Sequence, residues 1–214
     1  MIEVVIHGLA DSLVAKTEGL RSHSKPELQA EVSTPDLVQP AKDYLLFVAD
    51  YLLKSGNTLR AGETLAYGYW LTKFQSLTPD LLEVWEYDAE ATHFQKGVSL
   101  TLSYWRDQHC VCGRFEAEFQ PPRPDQLTVI SGGVLEGLPV QGIRYPAPEH
   151  MSGWWITTDL YNGDVSTLKH EHTYHVTAKR PDLAKFMALP RGFRYDLATH
   201  EDVWFDEKTT QVIM

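Results

Sequence analysis

Three groups of residues in this chain have the types and spacing to do chemistry. The first is the histidine run of KHEHTYH, residues 169–175. On a strand His170 and His172 share one face with Tyr174, while Glu171 and His175 point the other way. Two imidazoles so placed can ligate one metal ion if another element brings a third ligand. The metalloprotease pattern HExxH fails by one position, because the residue it requires as histidine is Tyr174. That pattern also needs a helix, and the segment's alternation predicts a strand.

The second group is His109-Cys110-Val111-Cys112. A structural zinc site spaces paired cysteines by about two to four residues and adds a second pair, and no second pair exists here. The deaminase signatures H-x-E and P-C-x-x-C are missing as well. A buried strand with two small hydrophobes accounts for the run. The third group is acidic: Glu86, Asp88 and Glu90 alternate with Trp85, Tyr87 and Ala89. A strand through them sets three carboxylates on one face, a row suited to water or to a cationic partner. Glu201, Asp202, Asp206 and Glu207 would extend such a surface. No nucleophile elbow, phosphate loop or dinucleotide fingerprint occurs, which lowers the expectation of an enzyme.

The elements that must carry these groups are mostly strands. MIEVVIHG and ELQAEVST alternate apolar and polar residues, with the polar stretch 15–27 between them as a loop. Residues 40–55 give the clearest helix: Ala41, Tyr44, Leu45, Val48 and Leu52 recur at helical spacing, Pro40 suits the first turn and Gly56 the C-cap. The segments 63–74, 80–90, 98–119 and 126–137 alternate β-branched and aromatic residues and predict an antiparallel sheet on that helix. YPAPEHM (145–151) is the expected linker. Beyond it, WWITTDLY and HEHTYHVTA predict strands around Asn162-Gly163-Asp164, and Pro181 opens a short helix stopped by Pro190 and Gly192. Trp154 and Trp155 are adjacent, so one faces inward and the other outward, where tryptophan makes a strong interface anchor.

Composition narrows the class. A formal net charge of -10 makes nucleic acid a poor partner and would steer in a basic protein. No apolar run reaches the roughly 20 residues of a membrane span. The first residues lack the basic and apolar regions of a signal peptide, so a cytoplasmic setting is expected. Two cysteines one residue apart close no useful loop, in keeping with reduced thiols.

SGWWI, Asp159, Gly163 and above all RPDLAKFMALPRGFRY (180–195) resemble a bacterial immunity-protein domain, the class numbered thirty-three among polymorphic-toxin immunity families. The recurring features are a tryptophan-bearing strand, the Arg180–Leu183 opening to a short helix, and the Leu189–Tyr195 exit. The likeness spans roughly residues 150–210, and its motifs are structural. It implies a protein that binds and neutralises a cognate toxin without catalysis. The expected architecture is α+β, mostly antiparallel sheet with covering helices: a larger part over 1–147 and a small β-rich domain over 148–214. The expected toxin contacts are Glu86, Asp88, Glu90, Trp155, Asp159, Tyr161 and Asp164, with no cofactor. The alternative is a metal-dependent hydrolase or modifying enzyme using His170 and His172.

Overall fold

The computed structural model describes residues 2–8 and 13–212. The chain is α+β and forms two compact units, Met1–Arg106 and Asp107–Met214.

In the first unit, β1 (Glu3–Gly8), β2 (Leu13–Glu18) and β3 (Glu27–Val32) precede α1 (Val38–Ser55). Then follow β4 (Thr64–Tyr67), β5 (Trp70–Thr78), β6 (Leu81–Tyr87) and β7 (Phe94–Lys96). The sheet order is β1-β2-β3-β6-β5-β4, with β7 also on β6; β3 and β6 run parallel and the other neighbours antiparallel. Ala41, Tyr44, Leu45, Val48, Ala49 and Leu52 form the buried face of α1, as their spacing predicts. They pack with Leu28, Ala30, Val32, Phe74 and Val84. Each fully buried Leu or Phe there contributes about 1.5–3 kcal/mol. Gly56 ends α1 in the left-handed region, φ 69°, which a side chain would resist.

Two expectations for this stretch need correcting. Residues 15–18, expected as part of a loop, belong to β2. The segment 98–119, expected as a strand, is instead α2 (Ser99–Arg114), which begins in the first unit and ends in the second. Cys110 and Cys112 therefore sit on a helix, Cys110 exposed, Cys112 buried and both unpaired.

The second unit holds β8 (Leu127–Ile130), β9 (Gln141–Arg144), β10 (Met151–Thr157) and β11 (Lys169–His172). It continues with α3 (Thr173–Lys179), a 3-10 helix over Pro181–Phe186, β12 (Phe193–Asp196), β13 (Asp202–Phe205) and α4 (Glu207–Thr210). The sheet order is β11-β8-β10-β9-β12-β13, and β8 runs parallel to β10. The expected linker at 145–151 joins β9 to β10, hydrogen-bonded neighbours in this one sheet. The histidine run is half strand and half helix, since β11 ends at His172 and α3 starts at Thr173.

One face of this sheet is core. Ile130, Ile156, Gly142, Tyr195 and Val203 stand opposite one another across β8, β10, β9, β12 and β13. Phe186, Met187, Leu183, Val176 and Val111 from the helical segments pack with them. Gly142 has no side chain because the Tyr195 ring lies where its Cβ would be.

Candidate functional site

The opposite face of the second sheet carries a different row. His170 on β11 stands opposite Val129, Val129 opposite Trp155, Trp155 opposite Ile143, Ile143 opposite Arg194, and Arg194 opposite Trp204. Paired residues project to the same side of a sheet, so this row backs the core row. His170 and Trp204 are exposed and Trp155, Ile143 and Arg194 half-buried. Trp155 meets Tyr145 edge to face at 5.8 Å, and the Arg194 guanidinium lies 5.6 Å from the Trp204 ring centre. Arg194 Nη1 donates to Asp206 Oδ2 at 2.9 Å, and that bond holds the Asp206 carboxyl below its ordinary range.

Two donors in the row are enclosed and lack an acceptor, Trp155 Nε1 and Arg194 Nε. Such a group costs about 1–3 kcal/mol of lost hydration. Few native groups are left so, and each asks for a reason.

Because β8 and β10 are parallel, their following loops lie at the same end of the sheet. Thr158 ties them: its N–H donates to Ser131 Oγ at 3.0 Å and its hydroxyl to the Gly132 carbonyl at 2.7 Å. Leu138, Leu160 and Val165 are exposed on these loops, Leu160 by 68% and Val165 by 65%. Glu136, Asp159 and Asp164 are exposed beside them. Neither 131–138 nor 158–168 contains a lysine or arginine. The result is an apolar and acidic rim next to the Trp155 row.

The expected contacts divide between the units. Trp155, Asp159, Tyr161 and Asp164 come together on β10 and the loop that follows it. Asp159 is exposed and Tyr161 half-buried. Asp164 Oδ1 accepts the Ser166 N–H at 2.9 Å, capping a 3-10 turn, and the Ser166 hydroxyl and N–H together lower the Asp164 pKa. The alternating acids belong to the first unit and do not form the open row that a longer strand implied. β6 ends at Tyr87; Glu86 and Asp88 are buried and Glu90 is exposed. Glu86 accepts the Leu100 and Thr101 N–H groups at 3.0 and 2.6 Å, filling the acceptor role at the start of α2. Burial raises its pKa against those bonds, which lower it. Asp88 closes the turn after β6 by accepting the Thr92 N–H and hydroxyl, at 2.8 and 2.9 Å, and the His93 N–H at 3.3 Å.

His170 and His172 do share a face of β11, His170 exposed and His172 half-buried. His172 Nδ1 is 2.9 Å from the Asp125 carbonyl, and its ring stacks on Tyr174 at 5.4 Å. Among the described residues no three His, Cys, Asp or Glu side chains gather to hold a metal ion. Among the described residues, then, no third such ligand accompanies the pair.

Ile143, Arg194 and Trp204 were not singled out from the sequence. Their own strands are short and ordinary, and the signal lies only in the register that aligns them. Among the described residues no helix is long and apolar enough to cross a membrane.

Residues 107–206 match the family model described as the Imm33-like domain. The match takes in the whole sheet of the second unit, including β8 and β9, upstream of the roughly 150–210 stretch where the resemblance was legible. That match supports an immunity-protein domain of the Imm33 class over residues 107–206. No curated protein and no solved structure matches it.

Proposed function

We propose that this protein is an immunity factor that binds a cognate bacterial toxin in the cytoplasm and neutralises it without catalysis. The observation that carries the reading is the Imm33-like domain over residues 107–206, joined to a sheet face on which Trp155 and Arg194 are half-buried and Trp204 is exposed. Trp155 is the proposed central anchor, flanked by Ile143, Arg194 and Trp204. Asp159, Tyr161 and Asp164 form the polar rim, with Leu160 and Val165 as secondary apolar contacts. Interfaces of this kind pair buried aromatic anchors with a polar surround.

The proposed partner is a basic protein. The rim has three exposed acids and no base, and the whole chain carries -10, so a cationic surface would be steered to it. Glu90 contributes long-range attraction from the first unit, whereas Glu86 and Asp88 are committed to internal bonds.

The test is co-expression with the product of the adjacent gene. Protection of the host from that product, and co-elution of the two with submicromolar affinity, support the reading. An adjacent product that neither binds nor is neutralised overturns it.

A further inference from the structure

A second site lies on the core side of the same unit. Arg144 ends β9 with its side chain turned inward, and only 7% of the residue is exposed. Its guanidinium is held by main-chain carbonyls: Nε donates to Ser152 at 3.0 Å, and Nη1 to Gln120, Leu189 and Met187 at 2.5, 2.6 and 3.2 Å. None of these partners is a carboxylate. Carbonyl dipoles orient a guanidinium without cancelling its charge, and a buried charge ordinarily has a counter-ion. Nη2 has no acceptor among the described residues, yet it is not enclosed.

Nη2 belongs to a residue that lines a cavity of about 360 Å³, together with Gln120, Gln126, Tyr145, Ser152 and Arg191. Arg191 is exposed and makes no ion pair among the described residues. The Arg191 charge is close enough to help lower the Arg144 pKa, burial being the larger cause; at about 10, Arg144 stays charged at neutral pH. The one acid on the lining, Glu149, is 90% exposed and sits 3.3 Å from Arg123. The cavity therefore has two guanidinium groups and no acid directed at them.

We propose that this cavity binds a small oxyanion, a carboxylate or a phosphate, between Arg144 Nη2 and the Arg191 guanidinium. Arginine is suited to both because its planar donors match paired oxygens. The ligand supplies the negative charge that the carbonyl cage lacks. The site stands apart from the toxin-binding reading and survives or fails independently of it.

The probes are inorganic phosphate and acetate, titrated into the full chain at constant ionic strength against chloride. The readout is the Nε–H resonance of Arg144, which is buried and hydrogen-bonded and so protected from exchange. A saturable shift with either probe is expected. Arg191→Ala should weaken it at least about tenfold, the scale of one charge-assisted contact, without moving the urea midpoint. Arg60→Ala, an exposed arginine of the first unit, should change nothing. Saturation by phosphate alone or acetate alone supports the site and assigns its ligand class. No saturable shift with either probe, or equal binding by Arg191→Ala, overturns the proposal.

Discussion

Arg144 and Trp154, directly opposite on β9 and β10, donate to the same oxygen: Nη1 and the indole Nε1 lie 3.2 and 3.0 Å from the Met187 carbonyl. The guanidinium also sits 5.9 Å from the Trp154 ring centre. One carbonyl at the end of the 3-10 segment thus anchors the two central side chains of the second sheet. Arg144→Met keeps the volume but leaves the carbonyls of Gln120, Ser152, Met187 and Leu189 without this donor. A loss of about 3 kcal/mol or more is expected, the scale of an unsatisfied buried network. Urea unfolding measures it, and a loss under about 1 kcal/mol would show that water replaces the arginine freely.

Tyr195 stacks on Phe186 at 4.8 Å, and its hydroxyl is enclosed with no hydrogen-bond partner. Tyr195→Phe removes a stranded polar atom and keeps the ring, so the protein should gain about 1 kcal/mol. Gly142→Ala pushes a methyl into that same ring and should cost about 1–3 kcal/mol through overpacking. Thermal unfolding of the two variants should move in opposite directions. A destabilised Tyr195→Phe would mean that the hydroxyl has a partner after all.

Glu86 gives a pH signature with a definite sign. Burial raises its carboxyl above the ordinary 4.5, although the Thr101 and Leu100 N–H groups oppose the rise. The folded state therefore binds the proton more tightly than the unfolded chain does. The stability gained is complete below pH 4.5 and is lost as pH climbs through the folded value. Glu86→Gln does not titrate, and the other carboxyls cancel in the comparison. Wild type should lose stability relative to Glu86→Gln as pH rises from about 4.5 towards neutrality. Urea midpoints at a series of pH values test this, and a difference that is flat or grows the other way rejects the assignment.

The same residue explains where the sequence misled. α1 was legible because its apolar spacing, Pro40 and Gly56 all sit within the helix or at its ends. α2 was not, because Val98, Leu100, Leu102 and Tyr104 alternate like a strand and the acceptor for its first N–H groups comes from Glu86, on another element. Tertiary capping then overrides a period-two pattern. β2 was hidden for a related reason: LVAKTE has a weak alternation, and pairing with both β1 and β3 decides its state. At the candidate site, the inward and outward tryptophans were legible from strand parity alone. The row that includes Ile143, Arg194 and Trp204 was not, since register between separate strands is fixed by packing and is not written in any one of them.

That parity yields the sharpest separation of folding from binding. Trp154 is fully buried against Tyr195 at 5.2 Å, whereas Trp155 is half-buried on the opposite face beside Tyr145. Trp154→Ala opens a cavity in the core and should cost about 3–5 kcal/mol in stability. Trp155→Ala removes a half-buried ring with an unpartnered N–H, so its cost to folding should be smaller than that of Trp154→Ala, about 1–2 kcal/mol. If the row is the toxin contact, Trp155→Ala should nonetheless lose about 2 kcal/mol or more of affinity, roughly thirtyfold in Kd. Calorimetry with the cognate toxin, run beside urea unfolding of each variant, reads both quantities. Full affinity in a well-folded Trp155→Ala would move the interface off this face, whatever the toxin proves to be.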